Sequence, residues 1–240
     1  YPPDWILAAV RGLGPITTRG GRALLEAGGR SAASPVSRGA PILYVGHSGG
    51  GIVGRLLTSP VPFERRRLNA SGRIGALVTL GTPHLVGDDA RWGSRVAEAG
   101  VRFANRHVPG ACFAPTTAYL AVGSRFVAGH PEAEDGRARF MWRLYEDVHP
   151  SPDVLPVFGD GLVPVASALL PGARHLVLDD AVHGPGVHAP WYGQDAQLDA
   201  WWPVALEVWR DALRARRARR AGLLAAAEAE AAEAEGVAGT

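Results

Sequence analysis

The sequence predicts an α/β protein: a mostly parallel sheet flanked by helices. Two patterns carry this expectation. Four short, nearly uninterrupted apolar runs each end at glycine or aspartate, as strands buried on both faces of a parallel sheet do. Between them lie stretches with apolar residues at helical intervals, and alternating strand and helix implies right-handed crossovers. With 240 residues, 47% of them apolar, the chain is long enough to bury a core without staples.

The first run, Pro41-Ile42-Leu43-Tyr44-Val45, stops at Gly46, and Ile52 to Leu57 then reads as a helix. The second, Ile74 to Leu80, stops at Gly81-Thr82-Pro83; the third spans Thr117 to Val122; the fourth, His175 to Leu178, stops at Asp179-Asp180. Within residues 88–107, Trp92, Val96, Ala99 and Phe103 recur every three or four positions, which suits a covering helix or lid. Residues 129–158 mix charge and proline with Phe140, Trp142 and Tyr145, and read as an excursion or cap between core elements. Leu198, Trp202, Ala205, Leu206, Trp209 and Leu213 form one apolar stripe, so a closing helix is expected there. One domain over residues 1–213 accounts for all of this. Residues 214–240 carry Arg214, Arg216, Arg217, Arg219 and Arg220, then an Ala/Glu repeat, and are expected to be a solvated tail with little to bury.

Charge excludes more than it assigns. All 25 basic residues are arginine and 23 are acidic, and the resulting net charge of +2 gives no reason to expect a nucleic-acid partner. The arginine cluster reads as a solvated helix face rather than a membrane or nucleic-acid surface. No run of 18 apolar residues exists, so no transmembrane segment is expected, while peripheral membrane contact stays open. The first residues lack the pattern of a signal peptide. Cys112, alone in the chain, cannot form an internal disulfide and reads as an apolar filler. Compartment, plastid or cytoplasm, and oligomeric state are not fixed by these features.

The chemistry concentrates at Gly46-His47-Ser48-Gly49-Gly50, a G-x-S-x-G between an apolar run and a helical stretch. That context fits a nucleophile elbow, a tight turn that projects a serine Oγ out of the sheet. Small residues at 46 and 50 let strand and helix approach. The Gly49 N–H, at a helix start, is a candidate oxyanion donor, and His47 a candidate substrate-binding neighbour. A chance match in a glycine-rich loop is the competing reading.

A serine hydroxyl needs a base, and the base needs a carboxylate to orient it. Asp160, in Gly159-Asp160-Gly161, follows the third run, and His183 lies in the loop after the fourth. Loops at the carboxyl ends of parallel strands hold the sites of such sheets. Ser48, Asp160 and His183 are therefore the expected triad. Asp153, Asp179 and Asp180 compete for the acid, and His188, His84 and His47 for the base. Asp179, Asp180, His183 and His188 have no recognised metal spacing, so neither a metal nor another cofactor is expected. Gly49-x-Gly51-x-x-Gly54 formally matches a dinucleotide fingerprint, but Gly46-His47-Ser48 separates it from the strand, and no strand precedes Glu64. Lysine and a hydroxyl residue are missing for a P-loop.

On these residues the chain resembles the lipase-like α/β-hydrolases, in particular those similar to glycosylphosphatidylinositol-inositol deacylase and to small plastid and cyanobacterial esterase/lipase-like proteins. The matching blocks are Gly46 to Gly50, Leu77 to His84, Gly159 to Pro164 and Pro190-Trp191-Tyr192-Gly193. The resemblance spans roughly residues 1–210 and implies the α/β-hydrolase fold and a serine hydrolase acting on a small-molecule or lipid ester. Ser48 would be the nucleophile, Asp160 the acid and His183 the base. A hydrolase-fold binding protein without turnover is the alternative, with a nucleotide-binding protein behind it. The resemblance also implies strands before Tyr1, with a loop carrying a second oxyanion donor. On that expectation the fold is N-terminally truncated, Pro41 to Val45 is an open edge, and the 240-residue chain is weak or inactive alone.

Overall fold

The structure is a computed structural model and describes residues 41–66, 69–87, 95–148, 155–184 and 190–238. It is α/β. A four-stranded parallel sheet in the order β1-β2-β3-β6 is formed by β1 (Ile42–His47), β2 (Ile74–Leu80), β3 (Ala118–Ser124) and β6 (Arg174–Leu178). A separate antiparallel ribbon joins β4 (Val127–Gly129) to β5 (Val157–Gly159). The helices are α1 (Gly49–Thr58), α2 (Arg95–His107), α3 (Gly136–Glu146), the short α4 (Val165–Ala168) and α5 (Asp195–Ala238).

The four apolar runs became the four parallel strands; β1 is half-buried and β6 mostly exposed, at the two edges of the described sheet, whereas β2 is enclosed. All seven of its residues are buried, since it has a strand on each side and helices on both faces. On one face α5 presses Trp201, Ala205 and Val208 against Leu43, Val78, Leu120 and Val122. On the other, Val53 and Leu57 of α1 meet Leu77, Tyr119 and Leu170. The opposite side of α1, Ile52 and Leu56, takes α2 through Val101 and Ala104. α1 is glycine-rich and a poor helix former by propensity, so burial on two sides holds it. It ends at extended Ser59, ahead of Pro60.

The stripe expected on the closing helix is turned by part of a turn. Its buried centre is Trp201, Ala205, Val208 and Ala212, while Leu198, Trp202, Leu206 and Trp209 flank it. The reason is size: Ala205 and Ala212 let the helix axis come close to the sheet, and the larger residues seal its sides. Body contacts also run past residue 213. The Arg216 guanidinium donates to the carbonyls of Gly72, Ser71, Ile74 and Thr116, ending the sheet's amino-terminal edge. Residues 214–238 continue the same helix. The covering segment 88–107 contains α2, with 88–94 outside the described residues, and the excursion 129–158 contains α3, with 149–154 outside them. Residues 1–40, including the segment read as a truncated start, also lie outside them, and within the described sheet β1 pairs with β2 alone. Among the described residues no helix is long and apolar enough to cross a membrane.

Gly46 fixes the closeness of β1 and α1. A β-carbon there would lie 2.5 Å from the Gly50 carbonyl carbon. Gly46→Ala is expected to destabilise the fold by about 1–3 kcal/mol through overpacking, read as a lower urea midpoint. Gly49→Ala is the control, because its β-carbon would meet nothing within 4 Å.

Candidate active site

Ser48 stands between β1 and α1 with φ 54 and ψ −128, a conformation rarely adopted by a residue with a side chain. Such a backbone costs about 1–3 kcal/mol and persists only when its surroundings over-determine it. Here they do. The Ser48 N–H donates to the Leu80 carbonyl (2.9 Å), and the Ser48 carbonyl accepts from the Thr82 hydroxyl (2.9 Å) and the Gly51 N–H (3.1 Å). The Gly81-Thr82-Pro83-His84 loop after β2 thus braces the turn from below. As the first helical residue, Gly49 has an N–H without an intrahelical acceptor, beside Ser48.

The structure brings Ser48, His183 and Asp160 together across the carboxyl ends of the strands. His183 Nε2 is 2.9 Å from Ser48 Oγ, and His183 Nδ1 is 2.9 Å from Asp160 Oδ2. A carboxylate only accepts, so Nδ1 carries the proton and Nε2 is left to accept from the serine hydroxyl. The His183 N–H also donates to the Asp160 carbonyl (2.8 Å), which ties the two loops to each other.

Asp160 is 1% exposed, and burying a charge demands donors. It has four. Oδ1 accepts from the N–H groups of Leu162 (3.0 Å) and Val163 (2.8 Å), and Oδ2 from the Tyr192 hydroxyl (3.0 Å) besides His183. Burial, then the Asp160 charge, raises Tyr192 well above its ordinary value, so it remains a donor. The Trp201 indole N–H donates to the Tyr192 carbonyl (2.8 Å), fixing that tyrosine to α5. On the other side, the Tyr145 hydroxyl of α3 accepts from the Gly161 N–H (3.0 Å) and donates to the Val127 carbonyl (3.0 Å). The excursion therefore holds the acid loop. Gly81, at φ +52, makes room: a β-carbon there would lie 2.6 Å from Asp160 Oδ2.

His47 packs its ring on His183, with centroids 4.9 Å apart, and lies near Trp191 and Tyr192. Its observed contacts are thus on the histidine side of the row. Desolvation, then the neighbouring His183, lowers its pKa to about 4, so it is neutral at neutral pH. Its Nε2 is buried without a hydrogen-bond partner among the described residues.

The rivals fall elsewhere or outside view. Asp179 pairs with Arg125 at the surface, and Asp180 is exposed. His84 is buried beneath the elbow, between Thr79 Oγ1 (3.2 Å) and Arg55 Nη1 (3.4 Å), and burial, then Arg55, pushes its pKa well down. Asp153 and His188 lie outside the described residues. Gly49, Gly51 and Gly54 sit inside α1 rather than in a turn before it, with Gly51 against Thr82 and Gly54 against Leu77 and Tyr44. Sequence reasoning missed Thr82, Tyr145 and Tyr192. Thr82, two residues past β2, had position as its signal, whereas Tyr145 and Tyr192, 15 and 9 residues from Asp160 and His183, had no local one. No protein-family model matches the chain, and no curated protein matches it.

Two outcomes follow from these contacts. Tyr192→Phe removes a buried donor to a carboxylate and is expected to cost about 1.5–3 kcal/mol in urea unfolding. His47 favours the native state when neutral: the unfolded chain takes up its proton near pH 6.5, the folded chain only near 4. Stability should therefore fall as pH drops from about 6.5 towards 4, by roughly 3 kcal/mol from this residue. The decline should be shallower in His47→Gln, measured by denaturation at successive pH values.

Proposed function

We propose that the chain is a serine ester hydrolase of the α/β-hydrolase class, lipase- or esterase-like, cleaving a carboxylic ester of a small molecule or lipid. One observation carries this reading: the unbroken row from Ser48 Oγ through His183 to Asp160, with the serine on a strained strand-to-helix turn.

The row supplies the nucleophile, the base and the orienting acid for that reaction. His183 Nε2 takes the Ser48 proton as Oγ bonds to the ester carbonyl carbon, and the carbonyl oxygen gains the charge. The Gly49 N–H faces that oxyanion, aided by the start of α1. Collapse breaks the acyl–oxygen bond. Nε2 gives its proton to the departing alcohol, and Ser48 keeps the acyl group. Water then attacks the acyl carbon while Nε2 takes a proton from it. That proton returns to Oγ as the carboxylic acid leaves. Asp160 stays ionised and stabilises the imidazolium in both halves. His47, neutral and packed at a tilt against His183, limits the movement of the base.

An active-site-directed fluorophosphonate should label the chain on Ser48, and Ser48→Ala should abolish labelling. With a short activated ester, Asp160→Asn should lower kcat by about 1,000- to 10,000-fold with little change in fold. A well-folded chain that takes no label and hydrolyses no ester would favour the alternative, a hydrolase-like fold that binds without turnover.

A further inference from the structure

α5 outruns the body it packs on. Its 44 residues make a rod of about 66 Å, and beyond Arg216 every residue through 230 is exposed, including Leu223 and Leu224 at 63% and 56%. The charges on this projecting part are segregated. Arg217, Arg219 and Arg220 come first, just past the anchored Arg216, and Glu228, Glu230, Glu233 and Glu235 follow. No arginine of that block has a glutamate three or four residues further on; Arg214 pairs back to Asp211, and among the described residues Arg217, Arg219 and Arg220 gain no ion pair along the helix. The glutamates stand towards the carboxyl end, where the helix dipole opposes them. An isolated solvated helix gains nothing from this order.

An antiparallel copy of the same helix gains from all of it. Arg216, Arg219, Arg220 and Leu223 share one helix face, and together with Phe113 they line an open groove of about 310 Å³. The helical repeat carries that face on through Ala226, Ala227 and Glu230. The face therefore reads basic, apolar, acidic, and is complementary to its own reverse. A two-fold axis near residues 224 and 225 sets Arg219 and Arg220 of one copy against Glu230 of the other, and Leu223 against Ala226 and Ala227. Small residues at the centre permit close approach, and the two helix dipoles run opposite.

We propose that this face is the interface of a homodimer, in which the projecting end of each α5 lies in the groove of the other copy. It is an isologous contact, so the same patch serves both chains and closes at two. Being small and charged, it should be a reversible dimer, strengthened at low salt.

Sedimentation velocity of the full chain, from low to high micromolar and at low and high salt, tests this. The wild type should show a concentration-dependent monomer–dimer equilibrium that high salt weakens. Arg219→Glu/Arg220→Glu should weaken it by about tenfold or more, and so should Glu230→Arg, because each sets like charges against one another. All three positions are solvent-exposed, so circular dichroism should be unchanged. Mixing the two variants should restore the dimer, since each then meets its opposite. A monomeric wild type throughout the range would overturn the proposal, as would variants that dimerise as the wild type does or a mixture that stays monomeric. A monomer that co-sediments with phosphatidylglycerol vesicles would assign the groove to a lipid surface and overturn it equally.

Discussion

The buried carboxylate of Asp160 organises the site. An ionised group with almost no contact with water must be met by hydrogen-bond donors, and the chain supplies them from three places. The turn after β5 gives the Leu162 and Val163 amides, the segment after His183 gives the Tyr192 hydroxyl, and the fourth donor is His183 itself. Satisfying this one charge draws the two loops together and orients the imidazole. The direction of His183 towards Ser48 follows from where its other nitrogen is held.

The strain at Ser48 is the matching constraint on the opposite side. A side-chain-bearing residue at positive φ persists because its amide and carbonyl are both occupied by the β2 end and its following loop, while Gly46 lets α1 approach. The energy comes from packing rather than from local preference. α1 is clamped between the sheet and α2, β2 is wholly enclosed, and α5 covers the far face. Rigid support of this kind keeps the Ser48 hydroxyl, the His183 ring and the Asp160 carboxylate within hydrogen-bond reach of one another.

Much of this was legible in the sequence, for identifiable reasons. A strand enclosed on both faces must be apolar throughout, so Ile74 to Leu80 announced itself; Ile42 to Val45 carries the same kind of run although it is half-buried. An elbow needs glycine, serine and glycine at fixed offsets, and the residues at 46, 48 and 50 met that need. That Asp160 and His183 come to lie in a row with Ser48 was legible from chain order and strand ends. The support was not legible. Thr82, Tyr145 and Tyr192 act through single hydroxyls whose partners lie 34, 18 and 32 residues away, and no local pattern encodes such distances. The stripe on α5 was legible, Ala205 included, but was centred too far towards Trp202 and Trp209, because bulk marks those residues whereas close packing buries Trp201, Val208 and the small Ala212. Arg216 was read as part of a solvated tail because its partners are backbone carbonyls, which carry no sequence signature.

The proposed chemistry requires Ser48 Oγ to become covalently bonded to the acyl group with His183 as its base. Intact-mass spectrometry after rapid acid quench of the chain mixed with a short activated ester reads this directly. The account predicts the mass of one acyl group, mapped to the peptide containing Ser48 and absent from His183→Ala. Hydrolysis with no adduct at Ser48, or an adduct on another residue that turns over at the catalytic rate, would contradict it.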